Sequence, residues 1–558
     1  MSFRHLLRSK RAADNLAAAG VGFATCAILF ALSRNTPFVK DPEATYAIDT
    51  RAAMRGDWLL VHAMGRKPPL YIWIGAAVSA LHGAVTEVTA RMPGVIAGGT
   101  LCALLFAFAA GRTERRTALW SWLVLLSMPG FVTNCVTVQV DPMMVLWTYA
   151  ALAALYPIFA QEAHSAALII AAGIALGLGM LSKGPIAVVI VAGTIAIWLA
   201  LMRKSLRRLL WPMATAGAIA IAIAATWYVA ATIQGGREFA RVLYQENLGH
   251  FLPGAAGGTG EAARPLYYIA AHLIGASLPI VVFLPAAAIA AWSEIDSERR
   301  SLMTYFGSAA LTVTLFFSLA SSKREVYVLA ALPALALVIG SYLAESMVHR
   351  TSRGSQVALR IAALAFLLVL AASIAGATFI ESSRALIDKI QLHSTDRMLT
   401  ELIVDWAGSG AFWPLLVAMA AAAASIAIGL WQDKAGYQIA GVALAAMVAT
   451  MSWAGAIRPA FARTRTEKFF LARVQQELRS SDLHLSALGE PDLEADYYLD
   501  RDLPVILVRD LPSILGPVYL LVRGDSLPRV PGLEVVMAGA EKSGRGGLVL
   551  AKFNSLER

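Results

Sequence analysis

Long apolar segments separated by short polar connectors make up most of the chain. A helix that crosses a membrane needs about 20 mostly apolar residues, because the hydrocarbon core is about 30 Å thick and each helical residue rises about 1.5 Å. Fourteen segments approach that length: residues 15–33, 68–82, 91–110, 117–132, 137–158, 165–181, 184–202, 211–232, 266–290, 303–320, 326–347, 357–379, 411–431 and 438–456. The pattern predicts a polytopic α-helical membrane protein.

Basic residues cluster in some connectors and not in others. Lys and Arg are retained on the cytoplasmic side of a membrane, so the connectors that contain them indicate the orientation. The N-terminus and residues 112–117, 203–208, 297–300 and 349–354 are therefore expected in the cytoplasm. Residues 34–67, 233–265, 380–410 and everything after 457 are then expected outside, with 34–67 and 233–265 as two large external loops.

The number of crossings follows from this orientation. The first apolar segment has a basic start but no convincing small-residue cleavage site, so it is expected to remain as an uncleaved helix. Fourteen crossings cannot satisfy both a cytoplasmic N-terminus and every basic connector. One segment must therefore fail to cross, and the short segment 68–82 is the first candidate, with 117–132 the second. About thirteen crossings and an exported C-terminus are predicted.

The pattern changes after Ile457. Residues 464–479 (TRTEKFFLARVQQELR) predict an amphipathic helix. Residues 502–510, 516–525 and 546–553 predict short strands that end at Gly, Pro or Asp. Two domains are therefore predicted. Residues 1–456 form a membrane domain with both external loops, and residues 457–558 form a small exported α/β domain.

The composition supports a membrane protein and argues against one class of partner. Hydrophobic residues make up 58% of the 558 residues and charged residues 15%, with a mean hydropathy of +0.62. Such a chain is too apolar for a soluble protein of this length. The net charge of +10 is dispersed in short clusters between apolar runs, as expected beside lipid phosphates. Nucleic acid is not an expected partner.

Charged residues gather at helix ends on the side predicted to be external. Ionisable groups near hydrocarbon are costly, so such positions indicate function. The acidic candidates are Asp41, Glu43 and Asp141. The cationic candidates and their polar neighbours are Lys67, Arg66, Lys183, Arg264, Lys323, Arg324, Tyr327 and Tyr46. Carboxylates and cations that face one compartment predict a site that binds an anionic lipid and activates a hydroxyl.

These residue types divide the chemistry between them. Lys and Arg donate charge-assisted hydrogen bonds to a lipid phosphate, and they also stabilise the negative charge that develops on a departing phosphate. A carboxylate beside the site takes the proton of the attacking hydroxyl. Asp41 or Glu43 is the expected base, and Asp141 is the second carboxylate, which orients the base or the acceptor.

Structural roles compete with these assignments. Asp41 precedes a proline and suits a turn, whereas Asp141 suits a helix N-cap followed by a first-turn proline. Lys183 precedes Gly and Pro, which separate two helices. Arg264 and Arg324 suit anchors at the lipid headgroups. His62, His82 and His250 are not spaced along the chain as metal ligands usually are, so no cofactor is expected to be required. A bound divalent metal is kept as an alternative.

A series of motifs resembles one enzyme group. In chain order they are DPEATYAI, RGDWLL, RKPPLYIW, ARMPG, VDPMM, MLSKGP, ATWYVA, ENLGHF, ARPLYY and FFSLASSKREVYVLAALPAL, over about residues 36–340. Together they resemble the GT-C glycosyltransferases of the protein mannosyltransferase and lipid A aminoarabinose transferase group. The resemblance implies a polytopic enzyme that takes a sugar from a polyprenyl phosphate outside the cytoplasmic membrane and inverts its anomeric centre.

The resemblance also implies roles for individual positions. Asp41 and Glu43 match the acidic pair of the first external loop, Asp141 the aspartate that opens a later helix, and Lys67 the lysine before a proline. Lys183, Arg264, Lys323 and Tyr327 match residues that look like contacts to the carrier phosphate. The family's acidic pair is usually contiguous, whereas Pro42 separates it here. The resemblance therefore implies that the base is Asp41 or Glu43 and does not select between them.

The exported α/β domain favours the lipid A aminoarabinose transferases within the group. The resemblance therefore implies transfer from undecaprenyl phosphate to lipid A or a related envelope glycolipid in a bacterial inner membrane, with 4-amino-4-deoxy-L-arabinose as a candidate sugar. A protein or polysaccharide acceptor is the first alternative. A lipid-linked sugar transporter is the second, although transporters place ionisable residues near the midplane in paired repeats.

Overall fold

The computed structural model describes most of the chain. The described residues are 3–38, 41–62, 67–247, 264–293, 297–347, 353–378, 400–402, 405–406, 413–479, 484–490, 492–514, 516–539 and 546–554. Contacts divide the chain into two units. The first comprises residues 1–34, 50–375 and 413–455, and the second comprises residues 35–49, 376–412 and 456–558.

Helices make up the first unit. In chain order the longer helices are α1 (Phe3–Ser33), α2 (Asp41–Met54), α3 (Leu70–His82), α4 (Glu87–Arg112), α5 (Arg115–Leu126), α6 (Pro129–Cys135), α7 (Asp141–Ala160), α8 (Ala166–Lys183), α9 (Ile186–Leu201), α10 (Leu210–Asn247), α11 (Tyr268–Ser277), α12 (Leu284–Ser293), α13 (Ser297–Leu319), α14 (Leu332–Ser346), α15 (Arg353–Thr378), α16 (Trp413–Trp431) and α17 (Ala435–Ser452). Short 3₁₀ segments lie at Leu206–Leu209, Ile280–Phe283 and Glu325–Ala331.

The predicted class of a polytopic helical protein is confirmed, since the described part of each predicted apolar segment lies largely in helices. Within the described residues, nine helices are long and apolar enough to cross a membrane, or eleven if each of two bent pairs is one span. The predicted total of about thirteen crossings is not confirmed by this number. The chain is a multi-pass membrane protein.

The two segments predicted to be irregular have distinct shapes. Helix α3 has only 13 residues, fewer than a span requires. The predicted segment 117–132 is broken between α5 and α6, whose axes differ by 72°. Pro129 explains the position of the break, because proline suits the first turn of a new helix and cannot donate to the preceding one.

Small residues let the membrane helices approach closely. A Cβ atom at Gly340 of α14 would lie 2.4 Å from the Ser121 hydroxyl of α5. A Cβ atom at Gly99 of α4 would lie 2.8 Å from the Gly22 carbonyl oxygen of α1. Close backbone approach through such positions is how membrane helices gain packing energy without a hydrophobic driving force.

The basic connectors lie at a common end of the first unit. Lys204 donates to the Phe159 carbonyl (3.2 Å), and Arg208 pairs with Glu162 (2.5 Å). Gln161 donates to Glu298 (3.1 Å), while Arg112 lies 5.6 Å from the Tyr156 ring. Residues 112–117, 203–208 and 297–300 therefore share the end of α7 that contains Ala160. Residues 349–352 of the fourth predicted connector lie outside the described part.

The second unit contains the predicted α/β domain. Its sheet has the order β2-β1-β3-β5-β4, with β1 parallel to β2 and β3, and β5 antiparallel to β3 and β4. The strands are β1 (Leu485–Leu488), β2 (Val505–Ile506), β3 (Val518–Arg523), β4 (Leu533–Ala538) and β5 (Leu548–Phe553). Helices α18 (Arg458–Arg465), α19 (Lys468–Arg479) and α20 (Leu493–Tyr498) complete it.

The predicted amphipathic helix is α19, whose residues Phe470, Leu471 and Val474 join the buried cluster that includes Leu521 and Leu550 of the sheet. Three predicted strands coincide with β2, β3 and β5, although β2 is only two residues long and a 3₁₀ turn (Val508–Ser513) follows it. Strands β1 and β4 were not predicted. The structure thus contains the predicted helix and the three predicted strands, and it adds two strands to the sheet.

Buried charges link the elements of this domain. Arg523 at the end of β3 donates to Glu467 (3.0 Å) and to Asp492 (2.5 Å). Burial works against the charged form of Arg523, but the neighbouring carboxylates of Asp492 and Glu467 raise its pKa overall. The bonds tie β3 to the residues that precede α19 and α20.

Asp496 in α20 is a buried carboxyl that forms no ion pair with a described residue. It is 4% exposed, and burial raises its pKa to about 6, against the lowering effect of a hydrogen bond from the Leu503 N–H (3.0 Å). The nearby charges of Asp502 and Asp492 raise the pKa further. Because this pKa is above the unfolded value of 3.8, stability from the protonated group is present at low pH and is lost as the pH rises through about 6.

We predict that Asp496→Asn stabilises the domain at neutral pH. Asparagine keeps an oxygen that accepts from the Leu503 N–H but removes the negative charge that burial disfavours. We therefore expect the free energy of unfolding at pH 7.5 to rise by about 1 kcal/mol, after allowing for solvent screening. Amide exchange of β3 and β5 at pH 7.5 and pH 4 measures the effect. The difference should disappear at pH 4, and the exposed Asp510→Asn should show none at either pH. Equal stabilisation at both pH values would contradict the assignment.

Candidate functional site

An ion pair joins two helix ends in the first unit. Helix α7 begins at Asp141 with Pro142 in its first turn, and α8 ends at Lys183. Gly184 follows with φ of 91°, a conformation that favours glycine, and α9 begins two residues later. The Lys183 ammonium donates to the Asp141 carboxylate. The local sequence therefore reverses the chain at Lys183 and places its ammonium at the start of α7.

A tyrosine completes this cluster. The Lys183 ammonium lies 4.7 Å from the centre of the Tyr327 ring, which stacks on Phe317 with ring centres 4.3 Å apart. Tyr327 is buried in the 3₁₀ segment that precedes α14. Three residues that the sequence analysis selected from distant parts of the chain therefore meet. We call Asp141, Lys183 and Tyr327 the Lys183 cluster.

The electrostatics of the cluster suit an anionic ligand. The Asp141 side chain is 4% exposed, whereas that of Lys183 is 18% exposed. An ammonium has three donors, and one of them is used by Asp141. The carboxylate fixes the position of the ammonium, while the ring stabilises its charge through a cation–π contact. Lys183 is thus held in place and still partly accessible.

The structural roles proposed for these residues are incomplete or wrong. Asp141 is not an N-cap, because Val140 occupies that position and no side chain there bonds to the helix backbone. The carboxylate binds Lys183 instead. Lys183 does end a helix before a Gly-Pro pair, but its ammonium also enters the cluster.

The other cationic candidates lie on neighbouring elements. Arg264 is exposed just before α11, with its guanidinium 5.3 Å from the Tyr268 ring. The Tyr268 ring is 4.0 Å from that of His272, whose Nε2 lies 4.0 Å from Glu325. Lys323 donates to the Ala320 carbonyl (2.9 Å), and Arg324 is exposed before the 3₁₀ segment. The contacts given for Arg264 and Lys323 are with these groups and not with Lys183.

The first predicted external loop contains a helix. Helix α2 covers Asp41–Met54, and its buried positions are Glu43, Ala44, Ala47, Asp49, Thr50 and Ala53. Acidic residues and a proline in its first turn suit a helix start, a signal that the sequence analysis interpreted as a turn. The connector predicted for 34–67 therefore contains a helix that the sequence pattern did not predict.

Candidates near α2 have different surroundings. Glu43 is buried at 3% exposure, and Tyr46 is half-buried. Asp41 begins the helix, but its side chain lies outside the described part. Lys67 is half-buried before α3, and Arg66 lies outside the described residues. In the described part, no three His, Cys, Asp or Glu side chains form a group that could hold a metal ion.

One buried cation was missed as a candidate. Arg91 of α4 is 0% exposed and donates to the Ser33 carbonyl (3.2 Å) at the end of α1. A charged residue at the start of an apolar segment is a signal for this role, because such groups need partners inside the membrane. The bond satisfies a carbonyl that α1 leaves open at its C-terminus.

Comparisons with known proteins agree with this fold. Residues 66–229 match the family model of dolichyl-phosphate-mannose-protein mannosyltransferase. The crystal structure of ArnT from Cupriavidus metallidurans bound to undecaprenyl phosphate superimposes with a TM-score of 0.72 and 18% identity, over 96% of this chain and 97% of that one. The chain has a GT-C fold. The resemblance deduced from the motifs is confirmed, and the matched family segment contains both Asp141 and Lys183.

Curated relatives cover part of the chain. An undecaprenyl phosphate-α-4-amino-4-deoxy-L-arabinose arabinosyl transferase of Pseudomonas fluorescens is 29% identical over 323 residues, which is 56% of each chain. One from Pseudomonas aeruginosa is 27% identical over 344 residues, 60% of this chain and 59% of its own. The matched part thus spans between 56% and 59% of the length of these relatives.

We predict that Lys183→Met lowers thermal stability by about 3 kcal/mol, because it leaves the Asp141 carboxylate buried without a partner. The double variant Asp141→Asn with Lys183→Met removes both charges and should recover more than half of that loss. Thermal unfolding in detergent measures both. Arg208→Met is the control, since it breaks a pair with Glu162 in which the two side chains are 48% and 62% exposed. Equal losses for Lys183→Met and Arg208→Met would contradict the assignment.

Proposed function

We propose that the chain is an inverting glycosyltransferase that moves a sugar from undecaprenyl phosphate to lipid A or a related envelope glycolipid. The GT-C fold, the mannosyltransferase family match and the arabinosyl transferase activity for which the curated relatives are named support this proposal. The names of the relatives favour 4-amino-4-deoxy-L-arabinose as the sugar.

The Lys183 cluster is the observation that carries the proposal. A polyprenyl-phosphate sugar reacts by breaking the bond between its anomeric carbon and a phosphate oxygen. The phosphate leaves with the electron pair, so a cation fixed beside that oxygen lowers the barrier. Lys183 has a fixed ammonium with donors left for this oxygen, and Asp141 and Tyr327 hold it without covering it completely.

Direct displacement explains the stereochemistry. The acceptor oxygen attacks the anomeric carbon from the face opposite to the departing phosphate, so the configuration inverts. Asp41 or Glu43 takes the acceptor proton as the new bond forms. Asp141 is paired with Lys183, so its role is to hold the cation in place. Lys67, Arg66, Arg264, Lys323, Arg324 and Tyr46 complete the proposed contacts to the carrier phosphate and the sugar.

The ends of α7 support a periplasmic site in the inner membrane. Its Asp141 end contains the Lys183 cluster, and its Ala160 end lies beside three basic connectors. Twenty residues separate these ends, or about 30 Å of helix, which matches the hydrocarbon thickness. If the basic connectors are retained in the cytoplasm, the Lys183 cluster faces the periplasm.

We predict that purified protein in liposomes transfers 4-amino-4-deoxy-L-arabinose from undecaprenyl phosphate to lipid A. Lys183→Ala should lower kcat/KM by at least about a hundredfold, since it removes charge stabilisation of the leaving phosphate. Comparison of Glu43→Gln with Asp41→Asn should identify the base. The substitution at the base should lower kcat/KM by about a hundredfold or more, and the other substitution should lower it less. Mass spectrometry of the product measures each rate.

Lys204→Ala is the control for the lysine. Lys204 also lies against an aromatic ring, 5.1 Å from Trp198, but at the opposite end of the helices, so its removal should leave the rate within about threefold of wild type. Full turnover by Lys183→Ala would reject the site. If transfer occurs only to a protein or polysaccharide, the proposed donor is correct and the proposed lipid acceptor is wrong. Movement of the lipid-linked sugar across the bilayer without transfer would favour a transporter.

A further inference from the structure

A buried tyrosine of α7 reaches the backbone of the segment that contains Tyr327. Tyr149 lies two turns after Asp141 and is 1% exposed. Its hydroxyl donates to the Ala330 carbonyl (2.9 Å) and accepts from the Ala334 N–H (2.9 Å). The phenol thus binds a donor and an acceptor that both belong to the entry of α14.

These two backbone groups are separated by four residues. In a continuous α-helix, the N–H of residue 334 would donate directly to the carbonyl of residue 330. Here the Tyr149 hydroxyl stands between them and satisfies both. Leu332 N–H donates to Leu329, one residue closer than in an α-helix, as expected where a 3₁₀ segment ends. The hydroxyl therefore marks the junction between the 3₁₀ segment and α14.

Packing fixes the position of the hydroxyl. The Tyr149 ring is stacked on Phe306 of α13, with 6.3 Å between ring centres and an interplanar angle of 2°. Pro333 has no N–H, so it cannot extend the α-helical bonds backward from α14. The stacked ring places the Tyr149 hydroxyl at this junction, and Pro333 interrupts the helical bonds there. The hydroxyl therefore bonds to both Ala330 and Ala334.

The form of this segment determines where Tyr327 points. A 3₁₀ helix turns about 120° and rises about 2.0 Å per residue, whereas an α-helix turns about 100° and rises about 1.5 Å. Over the four residues from Tyr327 to Ala331, conversion to an α-helix would rotate the side chain by about 80° and shift it by about 2 Å. A ring 4.7 Å from the Lys183 ammonium would lose its contact after such a rotation.

We propose that Tyr149 is a positioning residue, whose hydroxyl keeps residues 325–331 in the 3₁₀ form and so holds Tyr327 against Lys183. Helix α7 then supplies both supports of the lysine. Asp141 binds the ammonium directly, and Tyr149 acts through the backbone that contains the opposing ring. The effect on catalysis rests on the proposed function, whereas the effect on geometry does not.

The geometric test uses Tyr149→Phe, which keeps the stacked ring and removes only the hydroxyl. Tyr305→Phe is the matched control. Tyr305 of α13 is also fully buried, and its hydroxyl donates to the Leu152 carbonyl of α7 (3.0 Å). Acylation of Lys183 by an amine-reactive ester in the detergent-solubilised full chain is measured by peptide mass spectrometry, with Lys204 as the internal reference. Loss of the Tyr327 contact should speed Lys183 labelling at least about twofold in Tyr149→Phe and leave Tyr305→Phe unchanged.

Amide exchange of residues 325–334 provides a second geometric readout. We expect Tyr149→Phe to change exchange at this junction, since Ala334 loses its acceptor and must bond to Ala330 or to water. Exchange and labelling that match those of wild type, or of Tyr305→Phe, would overturn the proposal. Neither measurement requires transferase activity. Both therefore test the proposed geometry even if the proposed function is wrong.

The catalytic test is a double-mutant cycle in the transfer assay. We expect Tyr149→Phe to lower kcat about tenfold with KM for the lipid-linked sugar within about threefold, because a misplaced Lys183 stabilises the departing phosphate less in the transition state. If Tyr149 acts through Tyr327, Tyr149→Phe combined with Tyr327→Leu should be no slower than Tyr327→Leu alone. Additive losses would show that Tyr149 acts elsewhere and would overturn the positioning role.

Discussion

A charge inside a membrane-spanning body has to be paired, and the Asp141–Lys183 contact is the place where this constraint shapes the site. Each group alone would be buried at a high cost in free energy, because the surroundings cannot solvate it as water does. Together they join the start of α7 to the end of α8 and prevent either helix end from shifting independently. The same constraint accounts for Arg91, which is fully buried and bonds to the open end of α1.

Backbone groups obey the same constraint. The 3₁₀ segment and α14 together form the apolar run Glu325–Ser346, which is almost entirely buried, so an interrupted backbone bond there needs a partner from the protein. The Tyr149 hydroxyl is that partner. An irregular turn deep in a helical protein is therefore stable only because another helix supplies one donor and one acceptor at the right place. The irregular turn, in turn, directs Tyr327 toward the lysine.

The sequence predicts the part of this structure that depends on composition and periodicity. Apolar length places the membrane helices, and charges at the ends of apolar segments identify Asp141 and Lys183, because both features follow from the cost of burying polar groups. Helix α2 was missed because its buried residues are Ala, Thr and the acids Glu43 and Asp49, which carry little hydrophobic signal. Strand β1 has only four residues, and β4 is an edge strand with Val535 and Val536 exposed, so neither shows strict alternation.

Tyr149 marks the limit of such prediction, because no local pattern distinguishes it from Tyr156 on the same helix. Its role depends on where α14 is interrupted, and that follows from Pro333 and from ring packing between distant helices. Asp141 and Tyr149 are eight residues apart, or about 12 Å along α7. A shift of α7 by one residue would move the carboxylate and the hydroxyl together by about 1.5 Å and rotate both by about 100°. The site therefore depends on the register of one helix, which is buried on nearly all sides and is thus held by the whole body rather than by the Lys183 cluster alone.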